Sequence, residues 1–205
     1  TAALGGELRQ CDACGTQRHV YHSCRNRHCP KCQTLAKERW LAARRAELLP
    51  VPYFHLVFTL PHELNALAQG NPRALYAMLF AAASETLIAF GRNPRWLGGE
   101  IAVTLVLHTW GQTLTQHLHV HGLVAAGALS EASTWIRTRR GFLFPVKALS
   151  SVFRGKFLAA LGAALAGGRL TLSGSTAALS EPRAQRALLA DLRKKPWAVY
   201  AKRPF

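Results

Sequence analysis

Acidic residues are scarce in this chain: 10 Asp and Glu stand against 26 Lys and Arg in 205 residues. The formal charge of +16 points to a polyanionic partner, of which nucleic acid is the commonest. A basic surface kept for solubility or for ribosome association is the plainer alternative. Long apolar runs are missing too. No uninterrupted stretch reaches the ~18 residues that a membrane span needs; Phe157–Ala166 is short and follows Arg154 and Lys156. No secretory signal is visible, so no membrane contact is expected. Cysteine disappears after residue 32. The sequence starts at Thr1 and stops at Phe205, just after a strand-like run, and is expected to be a portion of a longer chain.

What is present is unevenly placed. Residues 1–50 carry nine Lys and Arg against four acids, a net +5. Residues 51–125 carry three against three, and residues 126–205 fourteen against three, a net +11. A neutral middle between basic flanks suits a reaction or folding core with polyanion-gripping surfaces on either side. With 49% hydrophobic residues the chain can bury one sizeable core plus a small satellite module.

The five cysteines all lie between residues 11 and 32. Four form two knuckles, Cys11-x-x-Cys14 and Cys29-x-x-Cys32, separated by fourteen residues. Each knuckle can offer two thiolates from a tight turn, and two such turns complete the tetrahedron that zinc prefers. Gly15 and Pro30 suit sharp backbone turns. A disulfide pair would leave Cys24 over and lacks an export signal. The expected ligands are Cys11, Cys14, Cys29 and Cys32, with Cys24 in reserve; His22 and His28 are close enough in sequence to compete. Arg18, Arg25, Arg27 and Lys31 would offset the thiolate charge and face a phosphate backbone. Such a closed site is a binding device.

Gln116 to Val124 reads as a strand. Alternation puts His117, His119 and His121 on one face, with Leu118, Val120 and Val124 on the other. One histidine there would be ordinary packing. Three in register point to a metal or active site, because neutral imidazole is a strong ligand for divalent ions. Gly122 directly after His121 breaks the His-x-His-x-Asp-His pattern of metallo-β-lactamase-like hydrolases. A barrel amidohydrolase would need ~250 residues.

Further elements complete a plan. Leu35–Leu49 reads as a basic helix and Tyr53–Leu60 as a strand. Helical stretches cover Pro61–Gly70 and Arg73–Phe90, and Ile101–Thr109 is a second strand. Trp135–Phe144 reads as a basic hairpin around Arg139, Arg140 and Gly141, with Arg137 as a further DNA contact. Val146–Ala166 and Glu181–Lys194 are helices, and Trp197–Lys202 is a last strand. Insertions aside, the order is β-α-β-β-α-β, an α+β, ferredoxin-like plan. Strand parity leaves His55, Val57 and Thr59 on the open face, with Thr104, Val106 and His108 beside them. His55 and His108 should therefore converge on the His117/His119/His121 set, unless a register slip of one residue intervenes.

Several separate motifs then occur in one order. They are Cys11-x-x-Cys14, the run from Ser23 to Gln33, the strand from Phe54 to Glu63, and Leu107-His108-Thr109-Trp110-Gly111-Gln112 followed by His119-Val120-His121. Together these resemble the transposases of rolling-circle (HUH) insertion sequences and of the related common-region elements, over nearly the whole chain. The resemblance implies a zinc-binding domain over residues 1–34, a basic linker helix over 35–50 and a HUH nuclease domain over 51–205. It implies that His119 and His121, with His55, His108 or His117 as third ligand, hold magnesium or manganese. It further implies that the partner is single-stranded DNA at insertion-sequence ends, in a bacterial, nucleoid-associated setting. In the family a tyrosine on a helix after the sheet attacks the phosphate. Tyr21, Tyr53, Tyr76 and Tyr200 do not fit that position, so no catalytic residue is assigned and the nuclease domain is expected to stop before its tyrosine helix. Two other readings are a non-catalytic, zinc-dependent nucleic-acid binder and a small metal-dependent hydrolase; the charge of +16 argues against the second of them.

Overall fold

A computed structural model describes residues 2–24, 29–111, 115–139 and 141–205, with the side chains of Pro30 and Lys31 outside the description. Arg25, Arg27, His28 and Arg140 also lie outside the described residues. The chain divides into two compact units, Thr1–Pro50 and Val51–Phe205.

The first unit is a hairpin and a helix. A 3-10 turn, Ala2–Leu4, leads into strand β1 (Gly6–Gln10), which pairs antiparallel with β2 (Gln17–Tyr21). The first knuckle closes this hairpin. Gly15 sits at φ +68°, a left-handed geometry that glycine adopts without steric cost, and its amide donates to the Cys11 carbonyl at 2.8 Å. Helix α1 spans Pro30–Ala46, beginning five residues before the expected Leu35. Pro30 explains the early start: at a first helical position its missing N–H and fixed φ cost nothing. The second knuckle therefore straddles a helix N-terminus. None of this unit's described residues is buried.

The second unit holds the core. In chain order come β3 (Tyr53–Thr59), a 3-10 turn (His62–Leu64), α2 (Asn65–Gly70), α3 (Pro72–Arg92), β4 (Val103–Trp110) and β5 (Gln116–Ala125). They are followed by β6 (Gly127–Leu129), β7 (Trp135–Arg137), α4 (Val146–Ala166), a 3-10 turn (Gly174–Ser180), α5 (Pro182–Lys194) and β8 (Val199–Ala201). The main sheet has the order β4-β5-β3-β8 with every neighbouring pair antiparallel. Leaving β6 and β7 aside, this is the ferredoxin-like arrangement that the element order implies.

Alternation assigns the faces. In β3, Phe54, Leu56 and Phe58 are at most 2% exposed, while the residues between them are half-buried. Leu118, Val120 and Val124 of β5 share that inner face and are wholly buried. Leu75, Leu79 and Leu87 of α3 and Phe153, Phe157 and Leu161 of α4 belong to the same core. Phe58 meets Phe153 edge-on at 5.0 Å between ring centres. Each such buried side chain contributes about 1.5–3 kcal/mol. Gly122 also turns inward, where an added Cβ would lie 3.1 Å from Leu105; β4, β5 and β3 pack closely there because the side chain is absent.

Helices α3 and α4 are long and apolar enough to cross a membrane by length and composition. They pack on each other instead, with their apolar residues in the shared core. The polar residues interspersed on their outer faces are why no long apolar run shows in the sequence. The basic hairpin expected around Gly141 is displaced. Trp135–Arg137 pairs backwards with Gly127–Leu129, so the turn falls at residues 130–134, where Ser133 takes φ +58°. Ser130 supplies the closure, its hydroxyl accepting from the Thr134 amide at 3.0 Å. Arg137 and Arg139 are both exposed.

Candidate metal centres

Two clusters of ligating side chains occur among the described residues, one in each unit: Cys24, Cys29 and Cys32, and His108, His119 and His121. In each, one donor atom per residue lies within 4.8 Å of the others.

The cysteine cluster departs from the four-thiolate set of Cys11, Cys14, Cys29 and Cys32. Cys29 and Cys32 gather with Cys24, while Cys11 and Cys14 are outside the group. The cause is the hairpin. Its five-residue strands hold the first knuckle at the tip, a strand length of roughly 15 Å from the base where β2 ends and Cys24 follows. Cys24 Sγ and Cys32 Sγ are 3.1 Å apart, and the Ser23 hydroxyl donates to Cys32 Sγ at 3.0 Å. Tetrahedral zinc with bonds of ~2.3 Å spaces its sulfurs about 3.8 Å apart. Three thiols at this separation therefore fit a zinc ion with small side-chain rotations. His22 and Arg18 line one cavity with Cys24, Cys29 and Cys32. Cys14 hydrogen-bonds with Thr16 Oγ1 at 3.2 Å, and that contact holds its thiol below its ordinary value.

The histidine cluster arises from register. Strand β5 places His119 opposite His108 on one side and Thr59 on the other, and His121 opposite Val106 and Val57. All of these lie on the face away from the core. His108 thus meets His119 directly across a strand pair, and its ring centre is 4.2 Å from that of His121. His108 is the third member of the set.

His55 and His117 take other places. His55 pairs with Leu123, so its ring reaches His121 diagonally, with Nε2 2.7 Å from His121 Nδ1. His119 Nδ1 lies 2.8 Å from the His117 carbonyl oxygen and must donate to it. The His119 proton is thereby fixed on Nδ1, leaving Nε2 free as a ligand. The His121 contact has the same effect when its Nδ1 donates to His55. Partners that hold the second ring nitrogen orient imidazole ligands and set their tautomers. His117 itself is exposed.

Electrostatics suit a ligand role. Burial lowers the His119 pKa against the opposing pull of the His117 carbonyl. Burial, and then repulsion from His108, His119 and His55, push His121 down to about 4. Both rings are neutral near pH 7, as metal ligands must be. A cavity of about 700 Å³ opens over these residues and is also lined by Trp110 and His117. No acid lines it. Imidazole ligands carry no negative charge, so a bound ion's charge would stay uncompensated and an anion is the natural fourth partner.

Trp110 escaped sequence reasoning because the expected strand stops at Thr109, one residue short of the observed end of β4. Cys24 was legible as a reserve candidate, but its nearness to Cys29 and Cys32 depends on where the hairpin closes. Of the four tyrosines, Tyr21, Tyr53 and Tyr200 stand on strands and Tyr76 on α3.

Comparison with known proteins gives two separate family matches. Residues 1–60 match the family model described as "Transposase zinc-binding domain", and residues 102–205 match the one described as "Putative transposase". The chain is 50% identical over 206 residues to "Putative transposase y4qJ" of Sinorhizobium fredii (strain NBRC 101917 / NGR234), covering 100% of this chain and 52% of that protein. It is 34% identical over 137 residues to "Transposase for insertion sequence element IS801" of Pseudomonas savastanoi pv. phaseolicola, covering 66% of this chain and 32% of that protein. The chain thus spans about half the length of the first of these relatives and a third of the second. Among solved structures, TrwC complexed with a 27-mer DNA comprising the recognition hairpin and the cleavage site aligns with TM-score 0.42 and 14% identity, over 68% of this chain and 72% of that one.

Proposed function

Because the chain belongs to the transposase family whose two domain models it matches, we propose that it takes part in DNA transposition by binding single-stranded DNA at insertion-sequence ends. The reading is carried by one observation, the convergence of His108, His119 and His121 on the uncovered side of the sheet. These imidazoles would hold magnesium or manganese, the all-nitrogen set suiting manganese at least as well. When bound, the ion supplies Lewis-acid polarisation of a phosphate oxygen. His55 and the His117 carbonyl keep the two β5 imidazoles in the tautomer that ligates. The basic flanks and the zinc unit, with Arg18, Arg137 and Arg139 exposed, hold the rest of the strand.

Zinc belongs to the first unit, on Cys24, Cys29 and Cys32, with the fourth position filled by a neighbour such as His22. Cys11 and Cys14 form a separate pair at the hairpin tip.

Strand cleavage in this chemistry requires a tyrosine oxygen to attack phosphorus. The P–O3′ bond breaks, a 5′-phosphotyrosine forms and a 3′-hydroxyl leaves. We assign none of Tyr21, Tyr53, Tyr76 and Tyr200 to that step, so this 205-residue chain binds without cutting. The test is to incubate it with single-stranded end DNA and manganese. Manganese-dependent binding that His119→Ala abolishes, with no covalent product, is expected. Binding indifferent to manganese and to His119→Ala would leave a non-catalytic nucleic-acid binder, and a protein-linked 5′ product would overturn the tyrosine assignment.

A further inference from the structure

Two large aromatic side chains stand in water on the histidine face, one on each edge of the sheet. Trp110 ends edge strand β4, is 53% exposed and lines the same cavity as His108, His119 and His121. Tyr200 lies on the opposite edge strand, β8, and is 58% exposed. Register fixes its side: Tyr200 pairs with Val57, and Val57 pairs with His121. Tyr200 therefore shares one cross-strand row with His121, two strands and roughly 10 Å away. Among the described residues neither ring stacks on another aromatic. Trp197 shows the contrast: it is 4% exposed, with its ring against Phe153 and Phe157.

Leaving an indole and a phenol in water forgoes a large apolar contribution. Nothing in the core needs them there, since the inner face is filled by other residues. What lies between them is a set of histidines under a cavity that, among the described residues, no acid lines. A partner for this surface must carry flat apolar faces at intervals and negative charge between them. Single-stranded nucleic acid has that chemistry, and successive bases stack on aromatic side chains whatever their sequence.

We propose that Trp110 and Tyr200 are base-stacking platforms, which hold nucleobases of one strand on either side of the phosphate presented to the histidines. The strand then crosses the sheet from the β4 edge to the β8 edge, over β5 and β3. This rests on the single-strand reading above and adds the residues that grip the bases. Trp110 and Tyr200 supply stacking alone, so they contribute affinity without neutralising phosphates. Lys202 and Arg203, which follow β8 directly, extend the path with charge.

The test uses the full 205-residue chain, zinc-loaded and with manganese present, and a fluorescein-labelled oligothymidylate. A second probe is the same strand with abasic sites, which keeps the phosphates and removes the bases. Trp110→Ala and Tyr200→Ala should each weaken oligothymidylate binding about tenfold, while Trp110→Phe and Tyr200→Phe stay within about threefold of wild type. The slope of log affinity against log salt should not change, because no phosphate contact is lost. The abasic strand should bind wild type and both alanine variants with the same reduced affinity. Alanine variants that bind oligothymidylate as tightly as wild type would overturn the proposal, as would an abasic strand bound as tightly as the normal one. A wild-type chain that binds neither strand would instead defeat the single-strand reading itself.

Discussion

The two units use metal-ligating side chains in opposite ways. In Thr1–Pro50 no described residue is buried, and what gathers the chain is a hairpin, a helix start and three thiols. In Val51–Phe205 the histidines lie on a sheet whose other face carries a complete core. We expect the first unit to need its ion to be a fold. The second is a fold that can take an ion. A ligand cluster means different things according to whether apolar burial already fixes the backbone beneath it.

The sharpest way to break this contrast is to remove zinc. Structural zinc in small modules contributes roughly 10–16 kcal/mol to folding. Chelation should therefore make residues 1–50 protease-sensitive while residues 51–205 remain resistant, as read by limited proteolysis and mass spectrometry. Equal resistance of both units after chelation would erase the distinction.

Within the first unit the ligand set can be dissected. Cys24→Ser, Cys29→Ser and Cys32→Ser should each cost the chain its zinc, measured by metal analysis after dialysis. Cys11→Ser should retain it. A retained ion in Cys24→Ser with loss in Cys11→Ser would restore the four outer cysteines.

On the sheet the effects should fall on affinity and spare the fold. His55→Ala removes only the partner of His121 Nδ1, so manganese affinity should fall about 10–100-fold with the thermal midpoint close to wild type. Calorimetric titration reads the first and circular dichroism the second. A His55→Ala chain that binds manganese as wild type would mean that this ring does not position His121.

The smallest effect is one of pH. His121 is held down to about 4 and His119 is also lowered, whereas in the unfolded chain both titrate near 6.5. Between those values the unfolded chain takes up protons that the folded site refuses. Metal-free stability from this source is whole above pH ~6.5 and declines as pH falls toward 4. His121→Gln should flatten that part of the curve of unfolding free energy against pH; an unchanged slope would deny the burial that lowers this ring.

Much of the second unit was legible from residues alone. Alternation gave Phe54, Leu56 and Phe58 to the core and His55 to the other face, because a strand has a period of two and one face must be buried. The same rule put His108 beside His119. What it could not give was the division of labour among five histidines, since pairing register and not parity decides that His108 lies opposite His119 while His55 meets His121 diagonally. Trp110 was missed because β4 runs one residue past the expected Thr109, and the β6–β7 turn because Ser133 and not a glycine takes the positive φ. The first unit was legible as chemistry but not as geometry: spacing marked Cys11, Cys14, Cys29 and Cys32 as thiolate pairs, yet only the length of the hairpin separates the first pair from Cys24.

The central proposal is that one divalent ion sits on His108, His119 and His121 on the open side of the sheet. It is tested most directly by titrating manganese into the zinc-loaded chain and following the ion by electron paramagnetic resonance. The expected result is one manganese per chain, with binding lost in His108→Ala, His119→Ala and His121→Ala and kept in His117→Ala. Stoichiometry and affinity unchanged by His119→Ala would contradict it.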